Sequence, residues 1–427
     1  MTITSPAPGS ATSEPAVDIP PIISVDDHVI EPAHLWQTWL PSSYRERGPR
    51  IERHRVGELR FVGGAAGFAF DVDPADGSGH VADVWIYEDR VFPHKRPTAA
   101  VGVPPEENTL HSITYDEMRK GCYDPVARLA DMDLGHIDKS VSFPTFPRFC
   151  GQQFYEAKDR DLAFQCVRAY NRWMIEEWCG PSGGRLVPLI IVPLWDPELA
   201  AAEVRWAAGQ GCHAVCFSEV PPRLGLPSIH SGAWDPFMAA CEETDTVICM
   251  HIGSSSTVPE TSADAPPQVT TVLTFANSCA AMTDWLFSGV FERYPRLKVA
   301  FSEGQIGWVP YVLERADDVW QQHRGWQGST LPEPPSHYYY RNMFSCFFRD
   351  RAGVRMLDVV GEDNITFEAD YPHTDSTWPN SKAVAEECLA GLTEEQIWKA
   401  VRGNAIRMLS LPADPRPSTA STTSTGR

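Results

Sequence analysis

Four short apolar segments of the sequence each end in a residue that can bind a metal ion or transfer a proton. The segment IISVDDH carries Asp26 and His28, which share one face of a strand because side chains alternate. The segment TVICMH ends in His251, LKVAFSE ends in Glu303, and NITFEAD ends in Asp370. Imidazole nitrogens and carboxylate oxygens suit Zn²⁺ or Mn²⁺, and such a site can leave one coordination position open for water or substrate. We therefore predict one divalent metal ion, bound by Asp26, His28, His251 and Asp370.

Each of these residues also has an ordinary structural explanation. A single His after an apolar strand is more often a hydrogen-bonded structural residue, and a single Asp there usually caps a helix or forms a turn. The metal prediction therefore depends on their coincidence at the first, fifth and eighth strands of one pattern. The sequence contains no P-loop, no GxGxxG and no HExxH motif that would indicate a different chemistry.

The segments that would position these residues alternate between strand and helix. The apolar segments are rich in β-branched and aromatic residues, as is typical of parallel strands buried between two layers. Helix-like segments separate them, two of which open on Asp-Pro, a helix-start signal. Eight strand–helix units predict a (β/α)8 barrel, with a doubly wound open sheet as the rival. The eight predicted strands lie at 22–28, 139–144, 185–194, 213–219, 246–251, 297–303, 342–348 and 364–370.

The barrel prediction explains why separated residues would meet, because the active site of such a barrel gathers at the C-terminal ends of its strands. Residues 45–120 do not fit the alternation, since they contain two stretches that read as antiparallel hairpins with Gly turns. We interpret them as an insertion after the first strand that forms a lid or side wall of the pocket. Residues 1–20 and 412–427 are predicted to be disordered tails, which leaves 21–411 as the barrel.

The composition excludes several classes of function. The 36 basic and 56 acidic residues give a net charge of −20, which argues against nucleic acid and anionic membrane surfaces as partners. No apolar run is long enough for a membrane helix. The 11 Cys are scattered and odd in number, and the start of the chain does not resemble a secretory signal, so a cytoplasmic protein with reduced thiols is predicted.

The motifs together resemble the amidohydrolase-related family, and in particular its aminocarboxymuconate-semialdehyde decarboxylase-like branch. The phrases VDDHVIEPAHLW, AFSEGQIGWVPYVLERAD and EADYPHTDSTWP carry the resemblance, which covers about residues 21–410. It implies a distorted (β/α)8 barrel with one divalent ion, usually Zn²⁺ and sometimes Mn²⁺. It also implies Asp26 and His28 as first-strand ligands, His251 as the fifth-strand ligand, and Asp370 as a ligand that also moves protons.

The sequence departs from the family pattern at two positions. The decarboxylases of the branch usually carry a His after the sixth strand, where this sequence has Glu303. A Glu can accept a proton but is anionic at rest, so Glu303 would raise the pKa values of neighbouring carboxylates. The binuclear members of the family need a Lys after the fourth strand, and Glu219 stands near that place with no Lys. One metal ion is therefore expected rather than two.

Four further residues are candidates for binding the substrate. Trp36 and Trp308 fall close after strands that carry ligands, where they would form an aromatic wall for a substrate ring. Glu31 follows His28 by three residues and would reach the pocket, and His373 follows Asp370 by three and would support the metal ligands. A purely structural role remains an open alternative for Glu31 and His373.

The leading functional hypothesis is a metal-dependent decarboxylase of a small aromatic or unsaturated carboxylic acid, in which His251, Glu303 and Asp370 do the chemistry. The alternative is a hydrolase that attacks an amide, ester or lactone at the same site, which Glu303 as an additional base favours. A non-catalytic barrel used for binding is a weaker third hypothesis. The expected partner is a small-molecule substrate. A homodimer or higher oligomer is also predicted, because 14 Trp are many for one barrel to bury and because relatives are often dimers.

Overall fold

The structure is a computed structural model that describes residues 18–328 and 330–414. The predictions for the two tails concern residues 1–20 and 412–427, and most of those residues lie outside the described part of the chain. None of the helices within the described ranges is long and apolar enough to cross a membrane.

Eight parallel strands form the centre of the molecule, one for each strand that the sequence predicts. They belong to a three-stranded sheet in the order β1-β7-β8 and a five-stranded sheet in the order β13-β12-β11-β10-β9. Nearly all of their residues are buried, which agrees with apolar segments covered on both faces. The strands are β1 (Ile22–Val29), β7 (Ile137–Pro144), β8 (Leu186–Val187), β9 (Ala214–Phe217), β10 (Val247–His251), β11 (Lys298–Ser302), β12 (Met343–Phe347) and β13 (Ile365–Phe367).

Irregular segments connect the two sheets at both of their edges. After β8, Ile190 forms a parallel bridge with Val215 of β9. After β13, the backbone N–H of Asp370 donates to Asp26 O at 2.9 Å, and the N–H of His28 donates to Tyr371 O at 2.5 Å. The predicted (β/α)8 barrel is confirmed as a distorted one, in which six of the eight strands are shorter than predicted, β8 and β13 by the most.

The shortest strand has a simple chemical cause. The sequence predicts a strand over 185–194, but only Leu186–Val187 pairs as a ladder, with β7. Pro188 and Pro193 have no N–H to donate, so a regular ladder cannot continue through this segment. The prediction of a strand is correct here, whereas its length is wrong.

The helices surround the strands, and several of them begin with an Asp cap. Asp124, Asp159 and Asp196 each accept a hydrogen bond from a backbone N–H in the first turn of the helix that follows. The segment between β10 and β11 includes two successive helices that are divided at Thr274. The helices are α1 (Leu35–Trp39), α2 (Pro125–Leu134), α3 (Gln152–Tyr155), α4 (Arg160–Trp173), α5 (Pro197–Ala208), α6 (Asp235–Glu243), α7 (Pro267–Leu273), α8 (Phe275–Phe287), α9 (Val290–Arg293), α10 (Val309–Gln327), α11 (Pro335–Asn342), α12 (Arg351–Val354), α13 (Leu357–Val360), α14 (Ser381–Cys388), α15 (Glu394–Trp398) and α16 (Asn404–Met408).

An antiparallel insertion follows β1, as predicted from the Gly-rich hairpin pattern. Its larger sheet has the order β2-β5-β6, and a separate two-stranded hairpin pairs β3 with β4. This hairpin also contacts the loop after β10, through a bridge between Ala65 and Thr257 and a hydrogen bond from Ala66 N to Ser256 O. The insertion therefore lies beside the C-terminal ends of the barrel strands. Its strands are β2 (Arg50–Val56), β3 (Arg60–Phe61), β4 (Phe68–Ala69), β5 (His80–Tyr87) and β6 (Arg90–Pro93).

Candidate metal centre

Side chains from three strand ends meet at one point of the barrel. Asp26 and His28 belong to β1, His251 is the last residue of β10, and Asp370 comes three residues after β13. All four are at most 1% exposed. The structure therefore brings together every residue that the sequence predicts as a metal ligand.

The polar atoms of these side chains face one another at short distances. His28 Nε2 lies 3.6 Å from Asp26 Oδ1 and 3.5 Å from Asp370 Oδ1. His251 Nε2 lies 3.5 Å from Asp26 Oδ2 and 3.2 Å from His28 Nε2. Two imidazoles and two carboxylates thus point their nitrogen and oxygen atoms into one small volume.

The two carboxylates lack the hydrogen bonds that buried oxygens normally make. Neither oxygen of Asp26 nor of Asp370 has a hydrogen-bond partner within the described residues. His373 Nδ1 lies 3.0 Å from Asp370 Oδ1, but the pair does not have hydrogen-bond geometry. Buried carboxylates without donors are costly, and a cation is the partner that would satisfy all four oxygens at once.

The orientation of His251 also suits a metal ligand. Its Nδ1 lies 2.7 Å from the carbonyl oxygen of Ile252, which can only accept, so Nδ1 carries the proton. Burial lowers the pKa of His251 to about 3, and burial is also the main reason that the pKa of His28 is well below its usual range. Nε2 of the neutral His251 ring therefore presents a lone pair to the cluster, as metal-binding histidines do.

The donor set fits one divalent cation. Asp26, His28 and His251 each offer a ligand atom within 4.8 Å of the others, and so do His28, Asp370 and His373. Nitrogen and oxygen ligands of this kind suit Zn²⁺ and Mn²⁺. The cluster therefore has the composition, the proximity and the unsatisfied oxygens that a metal site requires.

Burial, and after it repulsion between carboxylates, determines the electrostatics of the site. Burial raises the pKa of Asp26 well above its usual range, and the charges of Glu368, Asp370 and Glu303 raise it further. Burial likewise raises the pKa of Asp370, with Asp375 as the next cause. A bound divalent cation acts in the opposite direction, because it favours the ionised form of each carboxyl group.

Glu303 and His373 lie next to the predicted ligands. Glu303 Oε2 is 3.3 Å from His251 Nε2, and its side chain is 17% exposed, so it reaches both the cluster and the neighbouring cavity. The His373 ring stacks on His28 with a centroid distance of 3.6 Å. Glu303 and Asp370 both have a left-handed backbone, with φ of 60° and 52°, which is unusual for residues other than glycine.

The sequence analysis missed Glu368, which is completely buried below the cluster. Its Oε2 accepts a hydrogen bond from the backbone N–H of Glu303 at 3.1 Å and also contacts the thiol of Cys346. Burial raises the pKa of Glu368 to about 8. Alternation along the eighth strand could have identified this residue, because Glu368 precedes Asp370 by two positions and so shares its side of the strand.

A cavity of about 780 Å³ opens beside the cluster, and its walls are mainly apolar. Trp308 lines it as predicted, with the ring held by a hydrogen bond of 2.7 Å from Nε1 to Gly304 O. Phe275 lies beside Trp308, at a ring distance of 6.5 Å, and Phe61 and Phe68 come from the insertion. Glu303 is part of the wall, so an aromatic-lined space leads directly to the charged cluster.

The structure does not support Trp36 and Glu31 as substrate-binding residues. Trp36 is completely buried in the core, where it packs 4.9 Å from Trp85 and donates from Nε1 to Cys166 O. Glu31 is also completely buried, and its two oxygens accept the backbone N–H groups of Thr145 and Phe146. Glu31 thus holds the loop that follows β7, which corrects the prediction that it reaches the pocket.

A barrel that gathers buried histidines and carboxylates at its strand ends defines a class of metal-dependent enzymes. The model of the amidohydrolase family matches residues 75–411, and the chain belongs to this family. It is therefore a metal-dependent enzyme, either a carboxy-lyase or a hydrolase.

Individual relatives are distant. The chain is 24% identical over 319 residues to 2-amino-3-carboxymuconate-6-semialdehyde decarboxylase of Dictyostelium discoideum, a match that covers 70% of this chain and 79% of the relative.

Solved structures share the fold at similarly low identity. An amidohydrolase from Mycobacterium avium subsp. paratuberculosis has a TM-score of 0.65 and 22% identity, with 92% of this chain and 99% of that one covered. A dihydroxybenzoic acid decarboxylase from Polaromonas sp. JS666, with bound manganese and the inhibitor 2-nitroresorcinol, has a TM-score of 0.57 and 18% identity, with coverages of 75% and 94%.

Proposed function

We propose that this protein is a metal-dependent decarboxylase that releases CO₂ from a small aromatic or unsaturated carboxylic acid. The observation that carries this proposal is the aromatic-lined cavity that leads to the charged cluster at Glu303. Such a space accommodates a flat apolar ring or chain, while the cluster with its metal ion would bind the carboxylate end of the molecule. The decarboxylase relatives, whose named substrates are acids of this kind, support the proposal.

Asp26, His28, His251 and Asp370 would hold the metal ion. When bound, the ion supplies a positive charge that orients the substrate carboxylate and stabilises negative charge on the oxygen beside it. Zn²⁺ is the metal that the residue types favour, and the manganese in one neighbouring structure supports Mn²⁺ as the other choice. The bond between the carboxyl group and the carbon that bears it would break with its electron pair left on that carbon. Asp370 would deliver to this carbon a proton that it has first taken up from the substrate acid or from water.

The insertion would set the choice of substrate. Phe61, Phe68 and Leu110 contribute to the wall of the large cavity and all lie within residues 45–120. The β3–β4 hairpin is held against the loop after β10 by backbone hydrogen bonds, including one from Val258 N to Gly64 O. We therefore interpret residues 45–120 as a side wall of the active site.

Residues 1–20 and 412–427 are proposed to be dispensable. A homodimer or higher oligomer also stays a prediction, and a solution mass of about 47.5 kDa by light scattering would contradict it.

Hydrolysis of an amide, ester or lactone is the second candidate, and Glu303 is the residue that favours it. Its carboxylate lies 3.3 Å from His251 Nε2, close enough to take a proton from a water molecule beside the cluster. In a decarboxylase the same residue would only support its neighbours. The two candidates therefore assign a different importance to one side chain.

The proposal is tested by giving the metal-loaded enzyme a panel of hydroxybenzoic acids, together with amides, esters and lactones of similar size. We expect CO₂ release from at least one acid and no hydrolysis of the neutral compounds. Glu303→Gln should then lower turnover about 10- to 100-fold, as supporting residues around a metal site do. Hydrolysis without CO₂ release, or a loss with Glu303→Gln of about 10³-fold or more, would instead indicate that Glu303 is the base of a hydrolase.

A further inference from the structure

The cavity beside the metal centre is larger than an acid with a single ring requires. Its volume is about 780 Å³, in the upper part of the range of about 300–1,000 Å³ that drug-sized ligands occupy. A hydroxybenzoic acid held by its carboxylate at the cluster would fill only the inner end of this space, near Glu303. The rest would hold water against apolar walls, which is unfavourable. The volume therefore indicates a ligand that continues beyond its first ring.

The wall next to Glu303 is aromatic. The indole N–H of Trp308 is already bound to Gly304 O at 2.7 Å, so the ring presents its apolar surface to the cavity. The ring of Phe275 lies 6.5 Å from that of Trp308, with an angle of 32° between their planes. Phe348 also lines the cavity. These rings provide a contact surface for an apolar group that lies farther from the cluster than the carboxylate.

Most polar side chains of the wall are already bound to the protein itself. The hydroxyl group of Thr271 donates to Pro267 O at 3.2 Å, and that of Thr274 donates to Thr271 O at 2.7 Å. The carboxylate of Asp350 accepts the backbone N–H of Gly307 at 2.5 Å. A ligand therefore gains few hydrogen bonds from this part of the wall.

The charged side chains of the wall are all acidic. They are Glu303, Asp350 and Asp375, and no Lys, Arg or His lines this cavity in the part of the chain that the structure describes. An anionic group at the outer end of a ligand would be repelled there, because no cation beyond the metal centre is present to pair with it. The outer end of the ligand is therefore expected to be uncharged and apolar.

Three large apolar side chains surround the opening of the cavity to solvent. Phe61 is 37% exposed, Leu110 is 42% exposed and Val272 is 71% exposed, although all three line the cavity. They come from the β3–β4 hairpin, from the segment between β6 and α2, and from α7. A single exposed apolar residue needs no explanation, whereas three from separate segments around one opening indicate an apolar ligand that reaches it.

We propose that the substrate is a monocarboxylic acid with a bulky apolar group, either a second ring or an alkyl chain, that extends from the metal centre to this opening. This inference rests on the proposed function, because it takes the metal centre as the place of the carboxylate. The apolar group would pack against Trp308 and Phe275, and its far end would contact Val272. Burial of that group, without a second charge, would provide the selectivity.

The test compares three acids by calorimetry on the metal-loaded enzyme. Biphenyl-4-carboxylate should bind about 10- to 100-fold more tightly than benzoate, the effect of burying a second ring. Terephthalate, which has a second carboxylate in place of that ring, should bind no more tightly than benzoate. Binding of neither benzoate nor biphenyl-4-carboxylate, equal binding of the two, or terephthalate as the tightest ligand would overturn the proposal.

Phe275→Ala then shows whether the preference arises in this cavity, because a more apolar acid binds many apolar surfaces more tightly. The variant should reduce the preference for biphenyl-4-carboxylate over benzoate about 3- to 10-fold, through loss of the contact between rings. Phe164→Ala is the matched control, since Phe164 is half-buried on α4 and lies outside the cavity wall. It should leave the preference unchanged.

Val272→Ser is a second variant in case Phe275→Ala does not fold, because Val272 is exposed. It should reduce the same preference about two- to fourfold. Val126→Ser is its control, since Val126 is 70% exposed on α2, outside the cavity wall. An unchanged preference in both cavity variants would overturn the proposal. If Val272→Ser at the same time lowered the mass in solution, the opening would be a contact between copies of the chain.

The outcomes separate this inference from the proposed function when CO₂ release from salicylate and from 1-hydroxy-2-naphthoate is also measured. A Phe275-dependent preference for biphenyl-4-carboxylate without CO₂ release from any acid would support the inference and contradict the decarboxylase. CO₂ release from salicylate at least as fast as from 1-hydroxy-2-naphthoate, with no binding preference for the larger acid, would support the decarboxylase and overturn the inference.

Discussion

Asp26 and Asp27 are neighbours on β1 and are both buried, yet their surroundings are opposite. Asp27 accepts a hydrogen bond from the backbone N–H of Tyr371 at 2.9 Å and another from the hydroxyl group of Ser140. Asp26 accepts none from the described residues. A buried carboxylate whose oxygens are satisfied by the protein supports the fold, whereas one whose oxygens are left free is built for a ligand.

The same difference separates the metal centre from the loops around it. Glu219 is as deeply buried as the cluster, but only one of its oxygens lacks a partner. Its Oε1 accepts hydrogen bonds from Gly253 N, Ser255 Oγ and Asn277 Nδ2, whereas Oε2 has none among the described residues. Glu219 therefore holds the loop after β10 in place. It stands where binuclear relatives would have a Lys, and its hydrogen bonds give it a structural role instead.

We call the predicted ligands Asp26, His28, His251 and Asp370 the unsatisfied group, and the hydrogen-bonded carboxylates Asp27 and Glu31 the satisfied group. The largest effect should come from removing a residue of the unsatisfied group. His251→Ala takes away one of the two imidazoles, and metal content by elemental analysis should fall to a small fraction while circular dichroism shows that the fold persists. Turnover should fall to the background rate, because the ion provides the charge on which the chemistry depends. His230→Ala is the control, since His230 is half-exposed and pairs with Asp284 away from the cluster. Full metal content in His251→Ala would remove this residue from the site.

Asp370→Asn should have the next largest effect. Asparagine keeps the shape of the side chain and one weak metal contact, but it cannot take up or deliver a proton. Turnover should therefore fall by about 10²–10⁴, the range for loss of a general acid or base, while metal content falls less steeply. The measurement is turnover per bound metal ion on the best acid of the panel. A variant with full metal and near-normal turnover would contradict the assignment of Asp370 as the residue that moves the proton.

The sequence could predict the unsatisfied group because strand ends are visible in it. Apolar segments followed by Asp26, His28, His251 or Asp370 needed only the geometry of a barrel to bring them together. The prediction that Trp36 and Glu31 bind the substrate was wrong, because distance along the chain does not show the direction of a side chain. Helix α1 directs the indole of Trp36 into the core, and Glu31 binds a loop more than a hundred residues away. The hydrogen bonds that satisfy Asp27 could not be predicted at all, since only the fold brings Tyr371 and Ser140 to it.

Replacing a residue of the satisfied group should lower the stability of the fold and leave turnover unchanged. Asp27→Asn keeps one oxygen but replaces the other with an NH₂ group, which cannot accept a hydrogen bond. The free energy of unfolding should therefore fall by about 1–3 kcal/mol. Urea denaturation checks this value, and metal content and turnover per metal ion should stay near those of the wild type. The matched variant Asp26→Asn should show the reverse, with metal lost and little change in stability. If Asp27→Asn lost its metal to the same extent as Asp26→Asn, the distinction between the two neighbours would be wrong.

The smallest effect concerns pH and Glu31, which belongs to the satisfied group. Burial raises the pKa of Glu31 to about 7 from its ordinary 4.5, so between these values the folded protein binds more protons than the unfolded chain. The contribution of Glu31 to stability therefore falls as pH rises through this range. His94, whose pKa burial lowers to about 4, has the opposite effect below pH 6.5, so the fall should be clearest above that pH. Glu31 should account for about 1 kcal/mol of the loss between about pH 6.5 and 8.

Glu31→Gln cannot titrate, so its free energy of unfolding should decline less steeply than that of the wild type over the same range. Urea denaturation of the metal-free proteins at three pH values measures the two slopes, and removing the metal keeps the cluster identical in both. Glu46→Gln is the control, because Glu46 is exposed and its replacement should leave the slope unchanged. Parallel slopes for the wild type and Glu31→Gln would mean that Glu31 is ionised in the folded protein. In that case the two hydrogen bonds from Thr145 and Phe146 are enough to hold a buried charge, and the satisfied group would differ from the metal centre even more than its contacts indicate.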